Sequence, residues 1–178
     1  MINLKELIAA GESSHLELKA EQVKPDDLAK EIVALLNFQG GKILIGVEDD
    51  GTITGVSRPD IEEWVINICR NNVVPAVIPG YQKLVVEDKS VVILDIPAGL
   101  AKPYHTQKGD YYVRAGSTAR KASREELSRL FQDSGMIHFV EKLGRGIPMV
   151  VREMRKLGVR EPDFIESGEE FSVILYRE

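Results

Sequence analysis

The stretch "KPDDLAKEIVALLNFQGGKILIGVED", residues 24–49, leaves few choices of local structure. Pro25 stands at the start of an apolar period, with Asp26 and Asp27 in what would be the first helical turn. Proline's fixed φ and the favourable field between acids and a helix N-terminus both suit that position. Leu28, Ile32, Leu35 and Leu36 then recur on one face. Gly40 and Gly41 stop the period. The run "KILIGV" that follows is short and wholly apolar, which suits a core strand. A helix that ends in two glycines and opens onto a buried strand needs a sheet to receive the strand and a layer to cover it. The predicted class is therefore α+β.

The rest of the chain agrees. "INLKELIAAGE" reads as a short amphipathic helix ending near Gly11, and "HLELKA" alternates as a half-buried strand does. "DDG" predicts a tight turn into "TITGV", giving a hairpin. "RPDIEEWVINICRNNV" is a second helix. "YQKLVVED" and "SVVILDIPA" are strands joined by a turn at Asp88 and Lys89. "GLAKPYHTQKGD" is a polar loop, and "YYVRAGS" is a strand leading into a basic segment. "SREELSRLFQD" is a helix with a capping box, Ser123 and Glu126. Ser134-Gly135 marks a boundary. After it come a long helical stretch broken around Gly144 to Pro148, a loop with Pro162, and one final strand, "EFSVILYR". The expectation is a mixed β-sheet with packed helices, plus a short C-terminal helix-strand tail.

At 178 residues and 43% hydrophobic content a sizeable core is affordable. No apolar run reaches membrane-spanning length, and the acid-bearing N-terminus lacks a signal-peptide core, so a cytoplasmic protein is expected. Cys69 is the single cysteine. It excludes a disulfide framework and a cysteine-rich zinc site, and reads as a buried apolar residue. The net charge of -5 argues against a surface that binds nucleic acid all over. The charge is uneven, however. Lys102, Lys108, Arg114, Arg120, Lys121 and Arg124 lie within one stretch that Asp110 alone opposes.

Four pieces, "GESSHLELK", "IVALLNFQGGKILIGVEDDGTITGV", "KPYHTQKGDYYVRAGS" and "SREELSRLF", resemble in kind and order the Schlafen-type Alba-like domain of transcriptional regulators and RecG-like proteins. The resemblance covers roughly the first three quarters of the chain. It implies a nucleic-acid-binding domain over residues 1–134. The tail, residues 135–178, is similar to the end of a histidine-kinase-like ATPase module. Gly144 and Gly146 match that module's late glycine-rich loop. The helix with the acid and magnesium-holding asparagine that such ATPases need is not found, so ATP is not an expected ligand.

In Schlafen relatives that cut RNA, three acids form the centre. Glu12 and Glu17 match the pair, and Asp49 matches the third, so the resemblance makes them candidate catalytic and metal-binding residues for magnesium or manganese. Hard cations take such oxygen ligands and activate water for attack on phosphate. Lys19 shares a face with Glu17 by strand alternation and could meet a phosphate. The same acids also read as an ordinary strand end and turn. His15 stands between the glutamates as ligand, base or surface residue.

"YYVRAGSTARKASR" combines guanidinium groups, hydroxyls, a glycine turn and the start of a helix, the usual parts of a phosphate-binding surface. Arg114, Ser117, Arg120, Lys121 and Arg124 are the candidate contacts. Tyr104, Tyr111 and Tyr112 are near in sequence, and an exposed one could stack on an unpaired base.

Three functions follow as expectations. The first is a DNA- or RNA-binding module acting as a transcriptional regulator. The second is a metal-dependent endoribonuclease using Glu12, Glu17 and Asp49. The third is an interaction protein whose ATPase remnant docks on a partner. Eukaryotic Schlafen proteins form a groove from two related lobes, so the resemblance implies a homodimer here. The arginine-bearing turn and the acid-tipped strands are expected to face one trough.

Overall fold

The computed structural model describes residues 4–133, 151–158, 160, 163–167, 170–174 and 176. Two compact units divide the chain, Met1–Ser134 and Gly135–Glu178.

The first unit is built on a four-stranded mixed sheet. Its strands are β1 (Leu16–Lys19), β2 (Gly41–Ile45), β4 (Gly80–Val86) and β5 (Lys89–Ile96), in the order β1-β2-β5-β4. β1 runs parallel to β2, and the β2–β5 and β5–β4 pairs are antiparallel. The parallel pair is joined by the helix read first in the sequence, α2 (Pro25–Asn37), as a parallel crossover requires. Two short pairs stand outside this sheet: β3 (Val73–Val74) with β6 (His105–Thr106), and β7 (Tyr112–Ala115) with β8 (Thr118–Lys121).

Strand alternation sorts the core into two clusters. Ile43, Ile45, Val92, Leu94 and Ile96 pack with Leu28, Ile32, Leu35 and Leu36 of α2, and with Ile61, Val65 and Ile68 of α3 (Ile61–Asn71). On the opposite face Leu16, Leu18, Leu44, Val91 and Ile93 pack with Leu4 and Ile8 of α1 (Leu4–Ala10). Each fully buried Leu or Ile contributes roughly 1.5–3 kcal/mol. In β1 this alternation turns Leu16 and Leu18 toward α1. Glu17 and Lys19 therefore face the α2 side, where Glu17 is buried.

Three local expectations change. "TITGV" makes no strand, only an isolated bridge, Val47 to Ile53. β2 is already flanked by β1 and β5, so a hairpin partner has no free edge. Instead the chain curls back through Gly46 (φ 96) and Gly55 (φ 84), and the N–H groups of Thr54 and Gly55 bond to the Gly46 carbonyl. A Cβ on Gly46 would lie 2.8 Å from Gly55, so the crossing needs glycine. The β4–β5 turn sits one residue earlier than predicted, at Glu87 (φ 52) and Asp88 (φ 60). Third, the basic stretch read as a turn into a helix contains a full strand, β8, before the predicted helix α4 (Arg124–Asp133) begins.

In the second unit, residues 151–157 are helical. Two strands follow where one was expected, β9 (Asp163–Ser167) paired antiparallel with β10 (Glu170–Ile174). The break read around Gly144 to Pro148 lies outside the described residues. Among the described residues no helix is long and apolar enough to cross a membrane.

Candidate functional site

β7 and β8 form a hairpin whose turn, Gly116 at φ 63, follows Ala115. Arg114 pairs across the hairpin with Ala119, so both point to one side, while Val113 and Arg120 point to the other. The inner side lies against α2. The Arg114 side chain is 0% exposed there. Its Nη1 donates to Glu17 Oε2 at 2.7 Å and to Glu31 Oε2 at 2.9 Å. Its Nη2 donates to the carbonyls of Ser13 at 2.6 Å and Ser117 at 2.8 Å. Four acceptors from the loop before β1, from β1, from α2 and from the hairpin turn thus converge on one guanidinium. Its Nε alone is buried without a partner.

The expectation that Arg114 contacts phosphate is therefore corrected. Two buried carboxylates draw the guanidinium inward, where no phosphate reaches it. Ser117 belongs to the same anchor through its carbonyl.

The acids are equally committed. Lys19 Nζ donates to the remaining oxygen of Glu17 and lies 4.0 Å from Glu12. Lys30 is 3.5 Å from Glu31. Glu12 accepts weakly from the Leu18 N–H at 3.4 Å. Burial, then the charge of Glu17, raises the Glu12 carboxyl above its usual value, with Asp49 adding to the rise and Leu18 and Lys19 opposing it. Burial, again followed by Glu17, raises Glu31, against the pull of Lys19, Lys30 and Arg114. For Lys19, burial works against the charge, but the Glu17 hydrogen bond and the neighbouring acids outweigh it and hold the ammonium above its usual value.

The cluster thus sets Glu12, Glu17 and Glu31 against Lys19, Lys30 and Arg114, three charges of each sign. This bears on the candidate ion. Asp49 is exposed at the end of the segment leaving β2, close enough to raise Glu12 but on an open turn that Asp50 shapes by accepting from the Thr52 N–H at 2.8 Å. Among the described residues no group of three or more acids, histidines or cysteines is arranged to hold a metal ion. Both Glu17 oxygens already accept hydrogen bonds from cations, and Lys19, Lys30 and Arg114 balance the three glutamates, so a dication would have to displace Lys19 or Arg114 to reach Glu17. Glu12, Glu17 and Asp49, as placed, do not fit magnesium or manganese.

Beside Lys19 an open groove of ≈ 450 Å³ is lined by Lys19 and Lys30 and by Asp27, Glu31, Glu48 and Asp49. With four acids to two cations it repels a polyanion. The anticipated trough brings the arginine and the acids together, but as an internal lock and not as a phosphate channel.

The outer face of the hairpin is different. Arg120 is exposed and pairs with both Glu126 oxygens, at 2.8 and 2.5 Å. The Arg120 hydrogen bond, helped by the Ser123 N–H, holds the Glu126 carboxyl down at about 2. Lys121 pairs across the hairpin with Tyr112, on the Arg114 side, but at the end of β8 it is exposed and 2.7 Å from Asp110. Arg124 opens α4, exposed and with no ion-pair partner among the described residues. The predicted capping box is formed: the Ser123 N–H donates to Glu126 at 2.9 Å, and the Glu126 N–H to Ser123 Oγ at 3.3 Å.

The candidate stacking rings are structural. Tyr104 is buried, Tyr112 packs on the core, and Tyr111 lies 5.1 Å from His105 and 6.4 Å from Phe131. His15 is exposed, 5.1 Å from Phe38. Cys69 is buried, which pushes its thiol up to about 12. Two site residues escaped the sequence reading. Glu31 lies three residues after Leu28, so it falls inside the apolar face of α2, and that misplaced charge was the available signal. Asn37, buried at the end of α2, donates to the carbonyls of Tyr104 and Tyr112 and accepts from the Tyr104 N–H, clamping the segment that leads into β7.

A mixed sheet crossed by one helix, with an arginine-locked hairpin beside its edge strand, is the class of domain this geometry defines. The chain belongs to the Schlafen, AlbA_2 family, whose profile matches residues 12–123. A second profile, for the RecG-type ATP-dependent DNA helicase C-terminal region, matches residues 106–175 and so overlaps the first. Among solved structures, the DIP2311 protein of Corynebacterium diphtheriae is similar with a TM-score of 0.57 and 20% identity, covering 72% of this chain and 31% of its own. The chain thus spans less than a third of that protein. The N-terminal domain of a RecG-related protein from Nitrosomonas europaea is similar with a TM-score of 0.52 and 22% identity, covering 69% of this chain and 95% of its own. At these identities the likeness is one of fold. No curated protein matches.

Proposed function

We propose that this chain is a nucleic-acid-binding module that grips the phosphate backbone through the outward Arg120 of the β7–β8 hairpin, Lys121 at the end of β8 and Arg124 at the start of α4. One observation carries the reading. Arg114 fixes the hairpin from within, through four acceptors, while Arg120 stays exposed on its far side and Lys121 and Arg124 stay exposed where β8 ends and α4 begins. A pre-fixed scaffold lowers the ordering cost of each contact. The relatives' association with RecG-type helicases supports the same partner. Phosphate contacts of this kind position a protein without reading bases, which suits a regulator-associated module more than a sequence reader. The endoribonuclease reading is the weaker, because each Glu17 oxygen already pairs with a protein cation that a metal ion would have to displace.

The test is fluorescence anisotropy with labelled duplex DNA and structured RNA over a salt series. Binding should fall steeply with salt, and Arg120→Gln with Lys121→Gln should flatten the slope. Manganese-dependent RNA cleavage abolished by Glu17→Gln would overturn this reading in favour of the nuclease.

A further inference from the structure

Between residues 142 and 160 the chain carries Lys142, Arg145, Arg152, Arg155, Lys156 and Arg160, with Glu153 the one acid. The number of cations equals that of the basic stretch from Lys102 to Arg124, packed into a shorter span. In the earlier stretch Arg114 is buried, and Lys108, Arg120 and Lys121 pair with Asp26, Glu126 and Asp110. In the second unit, the helical residues 151–157 hold Val151 and Met154 half-buried and leave Arg152, Arg155 and Lys156 exposed. Spacings of three and four residues set those three cations within an arc of roughly 100°. They border an open concavity of ≈ 530 Å³.

The helix dipole favours cations in a last turn, and Gly158 (φ 70) ends the helix with its N–H on the Arg155 carbonyl at 3.2 Å. That accounts for Arg155 and Lys156. It does not account for Arg152, which lies more than one turn back and has no ion-pair partner among the described residues. Lys156 pairs with Glu153 at 2.7 Å, both exposed. Arg160 is used structurally, its guanidinium 3.5 Å from the Tyr176 ring centre.

We propose that the face bearing Arg152, Arg155 and Lys156 is a second phosphate-backbone contact, separate in sequence from the hairpin and blind to base identity. The partner proposed is nucleic acid, the ligand already argued for the hairpin. On the same helix Val151 and Met154 are half-buried and only Leu157 is exposed, a small apolar area for insertion into a lipid surface. The proposal rests on the reading that the chain binds nucleic acid, but on residues the hairpin does not share.

The experiment compares the full chain with Arg152→Gln/Arg155→Gln/Lys156→Gln, using a labelled duplex over a salt series. Each lost phosphate contact should lower the log-log slope by about 0.9. The variant is expected to lose two to three times that, with base preference unchanged. Amine-reactive labelling of the wild-type chain gives a readout that needs no variant: nucleic acid should slow modification of Lys156 relative to exposed Lys83. If the wild type binds, yet the variant keeps its slope and Lys156 stays unprotected, this inference is overturned and the hairpin reading stands. If the wild type binds no nucleic acid at low salt, both fall. Binding of anionic phosphatidylserine vesicles without nucleic-acid binding would likewise overturn it.

Discussion

Arg114 and Glu17 lie 97 residues apart in sequence and meet at 2.7 Å, with side-chain exposures of 0% and 4%. The contact ties the hairpin to the edge strand of the main sheet, and Glu31 adds the crossover helix to the same bond. Removing one partner of such a pair leaves an uncompensated buried charge. Arg114→Ala should therefore cost about 3–5 kcal/mol of folding stability. Arg114→Lys should recover little of it, because one ammonium cannot serve four acceptors fixed in a planar fork. Urea unfolding measures both, and a loss below about 1 kcal/mol for the alanine variant, the scale of an exposed pair, would show that the lock is weak.

The acids around that lock predict a pH dependence of definite sign. Glu12 and Glu31 have raised values, so their contribution is full below the ordinary 4.5 and is lost as pH climbs through those raised values. Glu126, held at about 2, acts oppositely: its contribution is present above 4.5 and drains as pH falls toward 2. Glu31→Gln keeps an oxygen for Arg114 and removes a titrating group. Relative to wild type, its urea midpoint should rise between pH 4.5 and neutrality. A difference between the two proteins that stays constant across that range would rule out Glu31 as the source.

Much of this fold was legible because the signals were local. Pro25, the acids after it and the Gly40-Gly41 stop define α2 within one stretch, and Ser123 with Glu126 marks the start of α4. The lock was not legible, since it joins Ser13, Glu17, Glu31 and Arg114 from four separate segments. Sequence proximity grouped Arg114 with Arg120 and Lys121, but a strand sends neighbours to opposite faces. Once β7 and β8 pair, Arg114 must turn inward if Arg120 turns outward. The "TITGV" hairpin failed for a similar reason. Nothing local to it reveals that β2 has both edges occupied.

Glu126 competes with phosphate for Arg120, so neutralising it should strengthen binding. Glu126→Gln removes the charge while glutamine still serves the capping box, leaving α4 intact. The pair is exposed, so water and salt keep it weak. The expected gain is thus no more than about a few-fold in affinity at low salt, vanishing in the Arg120→Ala background. Anisotropy titrations of the four proteins in that cycle decide it. An equal gain with and without Arg120 would mean that Glu126 acts only through net charge.

Divalent ions should leave folding stability unchanged. A ligand present at a hundred times its dissociation constant stabilises a folded protein by about 2.7 kcal/mol. Manganese or magnesium could do so here only by winning Glu17 from Arg114 and Lys19 and by entering a cluster whose charges already balance. Glu12 and Asp49 are left as the accessible acids, one partly buried and one on an open turn. Urea midpoints with and without millimolar manganese should therefore coincide. Lys19→Ala should bring the two curves apart if Lys19 is what blocks the site, because it uncovers one oxygen of Glu17. A manganese-dependent rise in the wild-type midpoint that Glu17→Gln abolishes would show the opposite: that the lock opens readily and the acids take a cation after all.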